Sequence, residues 1–157
     1  MKNRRFLLAT LIILLSLATA GRAENTKNFV APLKDSNEVP PRDTGATGLA
    51  LFHLVNDGTE LYYKVIVANV HNVTASHIHL GAAGANGGVV AFLFGGPTTS
   101  GRTQGILAEG TITDADLIGA LGGLTLADLI EEIEAGNAYV NVHTTQFPGG
   151  EIRGQIQ

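Results

Sequence analysis

Hydrophobic and polar residues alternate in short runs along most of the chain, and turn-forming residues separate these runs. Successive side chains of a strand point to opposite faces of a sheet, so this alternation is typical of strands with one buried face. Runs of this length at short intervals favour an antiparallel sandwich or barrel. Eight runs are predicted to be strands: residues 28–33, 47–55, 61–69, 73–80, 89–94, 106–112, 138–144 and 151–157.

Two turn sequences predict which runs are paired. Asn56–Gly58 contains an Asp-Gly step, which supplies the positive φ angles of a tight hairpin, so the runs on either side are expected to pair. Pro148 precedes Gly149, and a fixed φ before a residue that tolerates positive φ suits a type II turn. The last two runs should therefore form a hairpin that carries His143 towards Glu151.

One part of the chain between strand runs has helical spacing instead. Apolar residues recur at intervals of three and four over residues 114–121 and 125–135. Thr125 is a suitable N-cap, Asp128 stands at the third helical position, and Gly136 suits the C-terminal stop. We expect a short helical connection here.

The first 23 residues have the pattern of a secretory signal peptide. Three basic residues precede an apolar run over residues 6–17, and small residues then offer cleavage after Ala20 or Ala23. The apolar run is shorter than the ~20 residues that a membrane-spanning helix needs. We therefore expect a signal peptide over 1–23 and a secreted or periplasmic domain over 24–157, with no membrane span after cleavage.

Charge and cysteine content exclude several classes of partner and of functional site. The chain has ten basic and fourteen acidic side chains, and cleavage after residue 23 would remove four basic ones and no acidic one. An acidic surface repels nucleic-acid backbones and anionic membranes, so neither is an expected partner. The sequence has no cysteine, which excludes disulfides and thiolate sites. Any metal site would use nitrogen and oxygen ligands.

Three histidines on two predicted strands form the main polar constellation. His77 and His79 share one strand face because they are two residues apart, and His143 lies on a later strand. Three imidazoles in this arrangement would suit copper or zinc. The alternative is structural: the histidines would hydrogen-bond to the glycine-rich segment 81–88 and to Glu151, and would fix one end of the sheet.

Polar residues near His143 also allow two interpretations. Asn141 shares a strand face with His143, and Glu151 and Arg153 are two residues apart on the last run. In the first interpretation, these three side chains would orient the ring of a metal-binding His143 without binding the metal themselves. Alternatively, Glu151 and Arg153 would form a partly buried ion pair joined to Asn141 and Gln155. We favour the ion pair.

Five motifs stand out along the chain: EVPP at 38–41, HIHLG at 77–81, GANG at 84–87, YVNVHT at 139–144 and FPGGEIRGQ at 147–155. Together they closely resemble the CHRD domain, the module named from chordin and found alone in many bacterial exported proteins. The resemblance spans residues 28–157 and implies an extracellular β-sandwich module with no agreed catalytic residues. Chordin's growth-factor binding is associated largely with separate cysteine-rich modules, so it does not transfer to this chain.

The strand that bears His77 and His79 is also similar to the histidine-x-histidine strand of copper/zinc superoxide dismutases, which are β-sandwiches too. This chain lacks a cysteine for that family's disulfide and the downstream His/Asp cluster for its zinc. The resemblance therefore implies at most a shared fold and a simple metal site, and dismutase chemistry is not expected.

Together these observations predict an all-β protein, an antiparallel sandwich or barrel of immunoglobulin-like or superoxide-dismutase-like form with a short helical connection. The predicted function is a non-enzymatic binding or structural module with an extracellular or cell-surface partner that the sequence does not identify. The alternative is a protein with one copper or zinc site at His77, His79 and His143.

Overall fold

The computed structural model describes residues 26–157, and the predicted signal peptide lies outside them. All strand pairs in this part of the chain are antiparallel, which confirms the all-β class. The elements are β1 (Asn28–Lys34), β2 (Thr47–Val55), β3 (Glu60–His71), β4 (Val73–Leu80), β5 (Gly88–Phe94), β6 (Arg102–Ile112), α1 (Leu126–Glu134), β7 (Ala138–Thr144) and β8 (Ile152–Gln155).

The eight strands form one sheet in the order β5-β4-β7-β8-β1-β2-β3-β6. The sheet curls until its two edges approach, and the hydroxyl of Tyr63 on β3 donates to the carbonyl of Leu93 on β5 at 2.9 Å. The predicted sandwich or barrel is thus a nearly closed, barrel-like sheet. Its interior is apolar, and β1 shows the period-two pattern clearly: Phe29, Ala31 and Leu33 are buried and their neighbours are exposed.

Both predicted hairpins are present. Residues Asn56–Gly58 connect β2 to β3 with positive φ angles at all three positions. β7 pairs with β8 across the second turn, where the N–H of Gly150 donates to the carbonyl of Phe147 at 3.0 Å.

The type II geometry expected at Pro148-Gly149 is wrong. The residue with positive φ is Gly150, at 119°, and not Gly149. A second constraint acts at the same place, because a Cβ atom on Gly150 would collide with the carboxylate of Glu38. Glycine is therefore needed one position later than the sequence indicated.

Only the second half of the predicted helical segment is an α-helix. Thr125 and Asp128 form a reciprocal capping box at the start of α1, and Gly136 follows its end with a φ of 75°. Residues 114–121 form single 3₁₀ turns instead. Gly119 there has a φ of 59°, and the N–H of Ile118 donates to the carbonyl of Val90 on β5, so the segment packs along a strand.

Loss of the helix cap should weaken the fold measurably. Thr125→Ala removes the hydroxyl that takes part in the capping box, and N-cap threonines contribute about 1 kcal/mol. Urea unfolding should show a lower midpoint for this variant. Thr98→Ala, at an exposed loop position, is the matched control and should leave the midpoint unchanged. Equal midpoints for both variants would contradict the expected role of the cap.

Candidate metal site

The three predicted histidines meet on one face of the paired strands β4 and β7. His77 lies opposite Asn141 in the register, and His143 lies opposite Ala75. The ring centroid of His77 is 4.9 Å from that of His143 and 5.5 Å from that of His79. One ring nitrogen from each histidine lies within 4.8 Å of the other two. Strand parity thus brings together the residues that the sequence singled out.

Backbone carbonyls fix the tautomers of two rings. The Nδ1 of His79 is 3.0 Å from the carbonyl oxygen of Gly87, and the Nδ1 of His143 is 2.9 Å from that of Pro148. A carbonyl only accepts hydrogen bonds, so each Nδ1 carries the proton and each Nε2 keeps its lone pair. Metal-binding histidines are usually oriented in this way. The Nε2 of His143 lies 3.1 Å from the Nδ1 of His77.

The structural alternative predicted hydrogen bonds from the histidines to segment 81–88 and to Glu151. The first is present, because His79 donates to Gly87. The second is replaced by the bond from His143 to Pro148.

Burial keeps the three rings neutral. Burial, together with smaller effects of the neighbouring His143 and His79, lowers the pKa of His77 to about 4. Burial also lowers the pKa of His79, although the carbonyl of Gly87 and the side chain of Asn141 act in the opposite direction. The pKa of His143 is lowered mainly by burial as well. Neutral imidazole is the form that binds metal, so the cluster suits a ligand role at neutral pH.

His79 carries the least satisfied atom of the cluster. Its side chain is only 7% exposed, and its Nε2 is buried with no hydrogen-bond partner among residues 26–157. Leaving a buried polar atom unpaired costs about 1–3 kcal/mol. The other two rings are half-buried, and the exposed ring of Phe92 lies edge-on to His77 at 4.7 Å. The cluster is therefore buried at His79 and open on the side of Phe92.

The expected ion pair between Glu151 and Arg153 is wrong. Arg153 pairs with Glu38, whose Oε2 accepts from Nε at 2.8 Å and from Nη2 at 2.7 Å. Both side chains are almost completely buried, at 5% and 2% exposure. The remaining donors of Arg153 bind the carbonyl of Ala85 and the side chain of Asn86. The sequence placed Glu38 in a motif but gave it no role.

The position of Glu151 explains the error. β8 begins at Ile152, so Glu151 belongs to the turn before the strand, and its N–H donates to the carbonyl of Val142. The alternation of side chains along a strand therefore does not extend to Glu151. Glu151 lines a separate polar pocket with His71 and Phe147.

Tyr139 links the buried arginine to the histidines. Its ring stacks on His79 with a centroid distance of 4.9 Å and an interplanar angle of 9°, and the guanidinium of Arg153 lies 4.4 Å from the Tyr139 centroid. The hydroxyl of Tyr139 accepts a hydrogen bond from the N–H of Gly87 at 3.1 Å. A Cβ atom on Gly87 would collide with the carbonyl of Leu80. Tyr139 had no role in the sequence-based prediction, and Gly87 entered it only as part of segment 81–88, although this glycine lies within the GANG motif.

The remaining histidines lie outside the cluster. His53 bonds to the side chain of Asn28 at 2.5 Å, and His71 stands at the end of β3. Within residues 26–157, no helix has the length and apolar character needed to cross a membrane.

The fold and this polar cluster define an all-β module with a buried ion pair behind three neutral histidines. A family comparison matches residues 29–156 to the CHRD domain, nearly the whole of the described chain. The protein therefore belongs to the CHRD family. No curated protein and no solved structure matches the chain.

Breaking the buried ion pair should destabilise the protein far more than breaking an exposed one. Arg153→Ala leaves the carboxylate of Glu38 buried and unpaired, a change that costs about 3–5 kcal/mol in buried pairs. Lys64→Ala removes the exposed pair with Glu109 and should hardly change the urea midpoint, because water screens that pair. Similar midpoints for the two variants would contradict the assigned role of Arg153.

Acid should destabilise the metal-free protein through the buried histidines. An unfolded imidazole binds a proton below pH ~6.5, whereas folded His77 resists it down to about pH 4. The unfolded state therefore binds more protons in this window, and the free energy of unfolding falls as the pH falls. His77→Gln should reduce this dependence, and His53→Gln should not. Parallel pH profiles for all three proteins, measured by urea unfolding, would contradict the assignment.

Proposed function

We propose that this CHRD-family chain is an exported, non-enzymatic module that holds one copper or zinc ion at His77, His79 and His143. The observation that carries the proposal is the buried Nε2 of His79, a lone pair without a hydrogen-bond partner among the described residues. A metal ion would satisfy this atom. A purely structural role for the cluster does not explain why this nitrogen has no partner.

The distances within the cluster fit this proposal. Two ligands of a tetrahedral ion with bonds of ~2.0–2.1 Å are about 3.3 Å apart. The facing nitrogens of His77 and His143 are 3.1 Å apart, close to that value. The ligand nitrogen of His79 lies within 4.8 Å of the other two, so small side-chain rotations would complete the set.

The donor types narrow the choice of metal. Imidazole suits zinc and copper, whereas calcium and magnesium require several oxygen ligands. The cluster contains no carboxylate. The predicted export also agrees with a role outside the cytoplasm, where the module would hold the metal or present it to an extracellular partner.

Metal titration tests this function. Calorimetry of the purified protein with Zn²⁺ and with Cu²⁺ at neutral pH should show one site. His79→Ala should weaken binding by at least the 10–100-fold that loss of an outer hydrogen-bond partner causes, since a ligand itself is removed. His53→Ala and His71→Ala are the matched controls and should bind as the wild type does. Equal, weak binding by all variants would reject the metal site and leave a structural module.

A further inference from the structure

The side chain of Asn141 lies at the base of the histidine cluster. Asn141 is directly opposite His77 in the β4–β7 register and shares a strand face with His143. Its side chain is 1% exposed, so it forms the buried floor between the rings. Its Oδ1 atom is buried and has no hydrogen-bond partner among residues 26–157.

Two buried acceptors without partners therefore lie on one face of the β4–β7 pair. Asn141 is the diagonal neighbour of His79 across this pair, because its direct partner is His77. The Nδ1 of His79 is already bonded to Gly87, so the nitrogen that remains is the unpaired Nε2. Two lone pairs in a buried space repel each other unless a cation lies between them. A metal ion held by the neighbouring His77 and His143 would be such a cation.

We propose that the Oδ1 of Asn141 is the fourth protein ligand of the site, which makes it a three-nitrogen, one-oxygen centre for a divalent ion. This inference rests on the proposed metal-binding function. Soft thiolate and thioether ligands select Cu(I), whereas imidazole and carbonyl oxygen suit divalent ions. The only methionine is Met1 and the chain has no cysteine, so no soft ligand competes in the described domain. The site favours Zn²⁺ or Cu²⁺ over Cu⁺.

Substitutions that change only the oxygen donor test this assignment. Asn141→Asp keeps the shape of the side chain and makes the oxygen anionic, so Zn²⁺ should bind at least about tenfold more tightly. Asn141→Leu removes the donor and should weaken Zn²⁺ binding by about tenfold or more, a change of the size seen when metal-site partners are lost. The paramagnetic resonance spectrum of bound Cu²⁺ should change in Asn141→Asp, because one equatorial or axial donor has changed.

Asn28→Asp is the matched control. Asn28 is exposed on β1 and bonds to His53, so this variant adds the same charge away from the cluster. Its Zn²⁺ affinity and Cu²⁺ spectrum should equal those of the wild type. If the two aspartate variants behave alike, only net charge matters and Asn141 is not a ligand. This comparison still decides the matter if Asn141→Leu fails to fold.

The test separates the two proposals. If the wild type binds no metal, the three-histidine function fails. If the wild type binds metal, His79→Ala abolishes binding and both Asn141 variants bind as the wild type does, only the fourth ligand is refuted. That last result would mean that Asn141 is a buried neighbour of the site and not a ligand.

Discussion

The buried guanidinium of Arg153 is the interaction on which the site geometry depends. It binds Glu38 from the segment after β1, and Ala85 and Asn86 from the loop between β4 and β5. Each of these groups would be left unpaired if the segments separated, so one residue of β8 fixes two distant loops. Pairs of this kind add less to net stability than apolar packing of the same volume. Their contribution here is to specify one arrangement.

Arg153 is connected to the histidine cluster through a stack of three side chains. Arg153 lies over Tyr139, and Tyr139 lies parallel to His79. The same loop supplies Gly87, whose N–H binds Tyr139 and whose carbonyl orients His79. The proposed role of His79 as a metal ligand requires its ring to be held in place, and the ion pair, the stack and the loop backbone all hold it. The proposed site therefore depends on Arg153, Tyr139 and Gly87 as well as on the histidines.

The sequence was sufficient wherever a local pattern determined the structure. Strand parity predicted the bounds of β4 and β7 and placed His77 and His79 on one face, since period-two alternation is a property of the strand itself. It failed at Glu151, which lies in the turn before β8, where strand alternation does not apply. The true partner of Arg153 lies 115 residues away, and no local pattern connects two such residues. Residues 114–121 show the same limit, because the segment forms 3₁₀ turns and bonds to Val90 of β5 in place of a continuous helix.

If the proposed site binds an ion, the chemistry of the cluster also determines which ions it excludes. The chain is acidic overall, with fourteen acidic and ten basic side chains, so its field attracts cations of every kind. At the cluster itself the three rings are neutral and no carboxylate is among them. Calcium and magnesium, which need anionic oxygen ligands, would gain little there, whereas a transition metal gains imidazole bonds. Since an ion that binds only the folded state stabilises it, occupancy would also offset the cost of the unpaired His79 nitrogen. Selectivity and stability would then have the same physical origin.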